Sequence, residues 1–144
     1  PICPAPDADQ GAHEFTYALL PHQGPFSVPT VVREAYQLNI PLTLAESKNP
    51  AGTIPPFCKI SNPNVILEAV KKAERGTATI LRLYEAGNTR GPFTLEFDKP
   101  IKRATRCNML ERNEEPVPYS ENRIESQVKP FEIITLKVEF AETK

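Results

Sequence analysis

Sixteen prolines are scattered through 144 residues, about twice the ordinary share of ~5%. Each fixes its own φ and withholds an N–H, so a helix that meets one internally kinks or breaks. They are dispersed rather than tandem, which makes them strand-end and loop punctuation rather than a polyproline tract. Long helices are thereby excluded, and short strands between turns remain. Hydrophobic residues at 40% and charged residues at 24% are ordinary for a globular domain and exclude a wholly disordered chain. The length is that of one domain, so residues 1–144 are read as a single unit, with 48–57 as its one weak point.

Period-two alternation identifies the strands. Residues 14–20 (EFTYALL) put Phe15, Tyr17 and Leu19 on one face of an extended segment. Residues 78–85 set Leu81 and Leu83 opposite Ile80, Arg82 and Tyr84. Phe93, Leu95 and Phe97 share a face, as do Ile124, Ser126 and Val128, and Ile134, Leu136, Val138 and Phe140. Residues 101–110 and 41–47 are also expected as strands. One short helix is expected at about 28–38, where Val28, Val31, Val32 and Ala35 follow helical spacing. Ser27 caps it, Pro29 suits its first turn, and Asn39 and Pro41 end it. Residues 65–74 fit a helix or a strand equally by periodicity. Turn signals at Gly87-Asn88, Gly91-Pro92, Asp98 to Pro100, Asn113 to Pro118 and Pro130 separate the later strands. Short strands at that spacing, with no βαβ alternation, predict a mainly β chain, an antiparallel β-sandwich.

Charge and cysteine usage narrow the function classes. Seventeen Lys and Arg against eighteen Asp and Glu leave a net charge of −1. That balance lacks the basic excess of a nucleic-acid binder or of a polybasic membrane anchor. No apolar run approaches the ~18 residues of a membrane span, and no secretory signal pattern occurs. Cys3, Cys58 and Cys107 are odd in number and far apart, which predicts free thiols in a reducing compartment. The first residue is Pro1 rather than methionine, and the chain is expected to be cut from something longer.

A search for chemistry finds little. His13 and His22 lie nine residues apart, on opposite faces of an extended segment, so they cannot join in one metal site without another segment folding over; one is expected buried and one exposed. Asp7-x-Asp9-x-Gly11 resembles the start of a calcium loop but lacks the later glycine and carboxylate. Cys58 has no neighbouring histidine, and no nucleophile elbow or phosphate loop occurs. Arg82, Arg103 and Arg106 are expected on solvated faces or in ion pairs, and Glu85 and Glu132 as surface carboxylates. No catalytic or metal-binding residue is assigned from spacing.

The run Asp7 to His22 (DADQGAHEFTYALLPH) resembles a segment near the C-terminus of glycoside hydrolase family 38 α-mannosidases, in the branch of vacuolar, cytosolic and bacterial enzymes. Val32 to Leu42 (VREAYQLNIPL), Val70 to Glu74 (VKKAE), Leu81 to Glu85 (LRLYE) and Pro130 to Leu136 (PFEIITL) resemble later blocks of that family in the same order. The likeness departs in the proline-rich stretch near 48–57. It implies the C-terminal β-sandwich of a larger retaining exo-α-mannosidase, and it resolves 65–74 as a strand. It implies a zinc or similar divalent ion and an aspartate nucleophile in a catalytic domain absent from this chain, and no cofactor in the chain itself. The implied partners are the preceding β domain and catalytic domain, with a mannose-containing oligosaccharide as the parent's substrate. A cytoplasmic location is implied, with a vacuolar one as the alternative. Asp9, Gln10 and His13 are candidates for the rim of the parent's active site, against a loop-stabilising polar network. Detached from the parent, the fragment is expected to expose an interdomain face and to self-associate. A stand-alone carbohydrate-binding module or a generic interaction sandwich are the competing readings; the lack of Trp weighs against the first.

Overall fold

A computed structural model describes residues 10–44, 46 and 55–141. The architecture is mainly β, with two antiparallel sheets packed face to face and one short helix. The helix α1 spans Val28–Asn39. The strands are β1 Cys58–Ile60, β2 Val65–Lys72, β3 Thr79–Glu85, β4 Gly91–Phe97, β5 Ile101–Cys107, β6 Glu115–Pro116, β7 Tyr119–Ser120, β8 Arg123–Val128 and β9 Ile133–Phe140. One sheet has the order β1-β4-β8-β7 and the other β2-β3-β9-β5-β6.

The alternating residues make the core. Phe93, Leu95, Phe97, Ile124 and Val128 from the first sheet meet Val65, Leu81, Leu83, Ile134, Leu136 and Val138 from the second. Each strand has one apolar row, and the two rows leave water only by facing each other. The register aligns them: Leu95 lies opposite Ile124 and Ile60, and Leu81 opposite Leu136. One end of the sandwich is closed by three aromatic rings. Phe97 and Phe140 meet edge to face at 5.2 Å between centroids, and Phe57 meets them at 5.8 and 5.9 Å.

Segment 65–74 is a strand over Val65–Lys72, as the family resemblance implies. Its register shifts between Leu67 and Ala69, a bulge at Glu68 that breaks the alternation and explains why periodicity left it open. The expected helix is present, begins after Ser27 and has Pro29 in its first turn. The Ser27 side chain does not cap it, and instead bonds to the Thr30 hydroxyl at 3.0 Å.

Several expectations need correction. Residues 14–20 form no strand: they pair with no neighbour among the described residues, and their side chains lie in solvent. Alternation encodes a preference for extension, but only a partner's N–H and C=O groups make a strand. Residues 41–44 are likewise irregular, while 45 and 47 and most of the 48–57 loop lie outside the described residues. The strand expected at 101–110 stops at Cys107. There the Asn108 side chain accepts the Leu110 and Arg112 N–H groups at 3.0 and 2.9 Å and turns the chain. The region Asn113 to Pro118, expected as a turn, contains the two-residue strand β6, where Pro116 sits on a sheet edge that needs no further donor.

Leu95 is fully buried at the centre of its sheet. Leu95→Ala should lower stability by about 2–5 kcal/mol, because the rigid strands around it cannot collapse into the void. Urea unfolding followed by fluorescence or circular dichroism measures it.

Candidate functional site

The end of the sandwich opposite the phenylalanine rings is polar, and Glu85 organises it. Leu81, Leu83 and Glu85 share one face of β3, which carries the carboxylate inward to 1% exposure. This corrects the expectation of a surface carboxylate. Its Oε1 accepts the Gly87 N–H at 2.8 Å, the Thr89 N–H at 3.0 Å and the Thr89 hydroxyl at 2.9 Å. Its Oε2 accepts the Phe131 N–H at 3.0 Å. The Thr89 hydroxyl in turn accepts from Asn64 Nδ2 at 2.9 Å, and Asn62 Nδ2 donates to the Pro92 carbonyl at 3.1 Å. Three connections are thus tied to one carboxylate: that before β2, that after β3 and that before β9. Gly87 leaves room for the Asn64 side chain: a Cβ there would lie 2.6 Å from Asn64 Cγ and displace it. Burial pushes the Glu85 carboxyl up, but the bonds from Phe131, Thr89 and Gly87 outweigh it and hold it below the usual range.

A second set of carboxylates lies among the cations expected to pair. Glu132 accepts Arg106 at 2.8 Å and the Lys129 N–H at 2.8 Å. Glu114 accepts Lys137 at 2.7 Å, the Thr105 hydroxyl at 3.1 Å and Arg103 at 3.4 Å. Glu111 pairs with Lys71 and accepts the Glu74 N–H at 2.7 Å. Lys71, Arg82, Glu111, Glu114 and Lys137 line a 520 Å³ cleft. Both signs of charge interleave there, so no single ligand charge is selected. Lys71 lowers the Glu111 carboxyl and Lys137 lowers that of Glu114. Burial raises the Glu132 carboxyl, but Arg106 and the Lys129 N–H outweigh it and hold it low.

Helix α1 reaches β2 through a side-chain bond. Tyr36 donates to Glu68 and Arg33 to the Pro63 carbonyl. The bond to Glu68, and then Tyr84, raises the Tyr36 hydroxyl well above its ordinary value. A 630 Å³ cleft with apolar walls at Val28, Val32, Ala69, Met109, Phe131 and Ile133 runs beside it.

These groups offer no reacting centre. A general acid or base needs spare hydrogen-bonding capacity, and Glu85 and Glu132 spend theirs on backbone and arginine donors. Burial pushes the Cys58 thiol up to about 11 and also raises Cys107, the reverse of an activated nucleophile. Among the described residues no three His, Cys, Asp or Glu side chains converge as metal ligands. The residues here do not fit a zinc site, since the buried carboxylates are already neutralised by cations and N–H groups.

The rim candidates fall on a different part of the chain. Asp9 lies outside the described residues, while Gln10 and His13 sit on the irregular stretch before α1, exposed. His22 is exposed as well, so the expected burial of one histidine does not occur. Sequence reasoning missed the Asn62, Asn64 and Glu85 network. The available signal was the shared alternation of Leu81, Leu83 and Glu85, followed at once by Gly87.

A family model, the glycosyl hydrolases family 38 C-terminal beta sandwich domain, matches residues 64–136. Alpha-mannosidase 2C1 of Mus musculus and that of Homo sapiens are each 37% identical over 142 residues, covering 94% of this chain and 14% of theirs. Alpha-mannosidase G of Dictyostelium discoideum is 33% identical over 148 residues, covering 95% of this chain and 13% of its own. The chain therefore spans about one seventh of the length of these curated relatives.

Replacing Glu85 by Gln keeps its size but makes one oxygen a donor facing a donor. E85Q should cost about 1–3 kcal/mol at pH 7, read as a lower urea midpoint. The wild-type pH profile follows from the four lowered carboxyls. A folded value below the unfolded one stabilises the fold above the unfolded glutamate value of ~4.3, and that stability is lost as pH falls through the folded values. Urea midpoints should hold from neutral pH to about 5 and then fall with acid; E85Q should show a shallower fall.

Proposed function

The chain belongs to the glycosyl hydrolase family 38 C-terminal β-sandwich domain family, and from that premise we propose that it is the closing, non-catalytic module of a larger α-mannosidase. The parent releases terminal, non-reducing α-linked mannose from oligosaccharides, with its divalent metal, zinc or a similar ion, and its nucleophile held in a catalytic domain outside this chain. The observation that carries this is the likeness to α-mannosidases across 94–95% of the chain at 33–37% identity. The committed state of Glu85 and Glu132 supports the non-catalytic role. The free thiols of Cys58 and Cys107 support a reducing, cytoplasmic location. The module's partners are the preceding β domain and the catalytic domain of its own polypeptide.

Asp9, Gln10 and His13 are proposed to approach the rim of the parent's active site, where hydrogen-bonding side chains suit sugar hydroxyls. The exposure of Gln10 and His13 supports that reading.

The test is hydrolysis of an aryl α-mannoside by the full-length polypeptide and by the 144-residue chain. Activity is expected in the first alone; hydrolysis by the short chain, or inactivity of the folded full-length protein with its metal, overturns the proposal. In the full-length enzyme His13→Ala should lower kcat/KM about fivefold, the worth of one hydrogen bond. Unchanged kcat/KM in a folded variant removes His13 from the rim.

A further inference from the structure

We infer that residues 14–20 are a strand made for another sheet: in the full-length polypeptide they complete an open sheet edge in the region that precedes this sandwich. The inference rests on the reading above, that a longer enzyme surrounds this module. The segment has the composition and period of a half-buried strand, with Phe15, Tyr17 and Leu19 on one face, Thr16 between them and Pro21 as its stop. Yet those three side chains are 80%, 84% and 92% exposed. No described residue hydrogen-bonds to its backbone. A row of exposed apolar side chains at strand spacing, beside N–H and C=O groups that no described residue pairs, is what one strand offers to the edge of another sheet.

The sandwich has edge strands of its own, β1, β7, β2 and β6, and the segment pairs with none of them. The sandwich core is closed by its own strands and by the phenylalanine rings at one end. The family match begins at residue 64, beyond the segment. The match to the mouse and human enzymes nevertheless includes it: the ~6% of the chain left over is about nine residues, too few to reach residue 14. Those enzymes are about seven times longer than this chain, and a C-terminal domain has most of that length before it. The occupant is therefore the preceding region of the same polypeptide. A sheet edge with an apolar slot wide enough for Phe15, Tyr17 and Leu19 fits the chemistry. The apolar residues beyond α1, Ile40, Leu42 and Leu44, are exposed as well.

Amide hydrogen exchange, measured on the full-length polypeptide and on the 144-residue chain at equal concentration, tests this. Amides 15–20 should exchange at least 100-fold more slowly in the full-length protein. Equal rates in the two overturn the inference. Protection in the short chain that rises with its concentration also overturns it, and assigns the strand to a second copy. Ala18→Pro, which removes a ladder N–H, should lower the thermal midpoint of the full-length protein and leave that of the short chain unchanged. Mannosidase activity is assayed in parallel. An active parent with unprotected amides refutes the strand alone, whereas an inactive parent with protected amides refutes the enzymatic reading and leaves the strand standing.

Discussion

Each sheet carries one row of side chains that water disfavours, and the two rows are hidden only against each other. Leu81, Leu83, Ile134 and Leu136 on one side and Phe93, Leu95 and Ile124 on the other fix the separation and the register of the layers. Everything else in the sandwich answers the problem this creates at its ends, where a two-layer structure opens. One end is plugged by Phe57, Phe97 and Phe140. The other is closed by loops that cannot be apolar, because their backbone donors must be satisfied. Glu85 satisfies three of those N–H groups and a hydroxyl at once.

That use of a carboxylate explains the chemistry that is missing. A buried glutamate in a glycosidase relative invites a catalytic role, but catalysis requires a group able to change protonation near neutral pH. Every force on Glu85 other than burial favours its charged form. Glu111, Glu114 and Glu132 are likewise anchored by Lys71, Lys137 and Arg106. Electrostatics here holds loops onto sheets and leaves none of these four carboxylates poised to react.

The strands β3, β4, β8 and β9 were legible in the sequence because each sets one apolar face at every second position, as Phe93, Leu95 and Phe97 do in β4. β2 was not, because the bulge at Glu68 puts two residues against one and cancels the period. β6 and β7 are two residues each, too short for any pattern. Residues 14–20 alternate as clearly as β4 does, yet they form no strand: sequence specifies which residues can pair, and no described residue supplies the partner. At the candidate site, Glu85 shares the inward phase of Leu81 and Leu83, but a charged residue at a strand end is on the surface by default. Only the donors that converge on it, from positions 87, 89 and 131, distinguish the exception, and all three come from turns whose path no periodicity describes.

The described chain is thus a β-sandwich preceded by an arm suited to a larger body, and the role proposed for it is to hold that body together. The most direct measurement compares the intact enzyme with one lacking residues 58–140, following the thermal midpoint of the catalytic domain and the turnover per folded active site. A lower midpoint with turnover per folded site retained is the expected result. An unchanged midpoint with turnover abolished would contradict it, because the sandwich would then supply chemistry rather than stability.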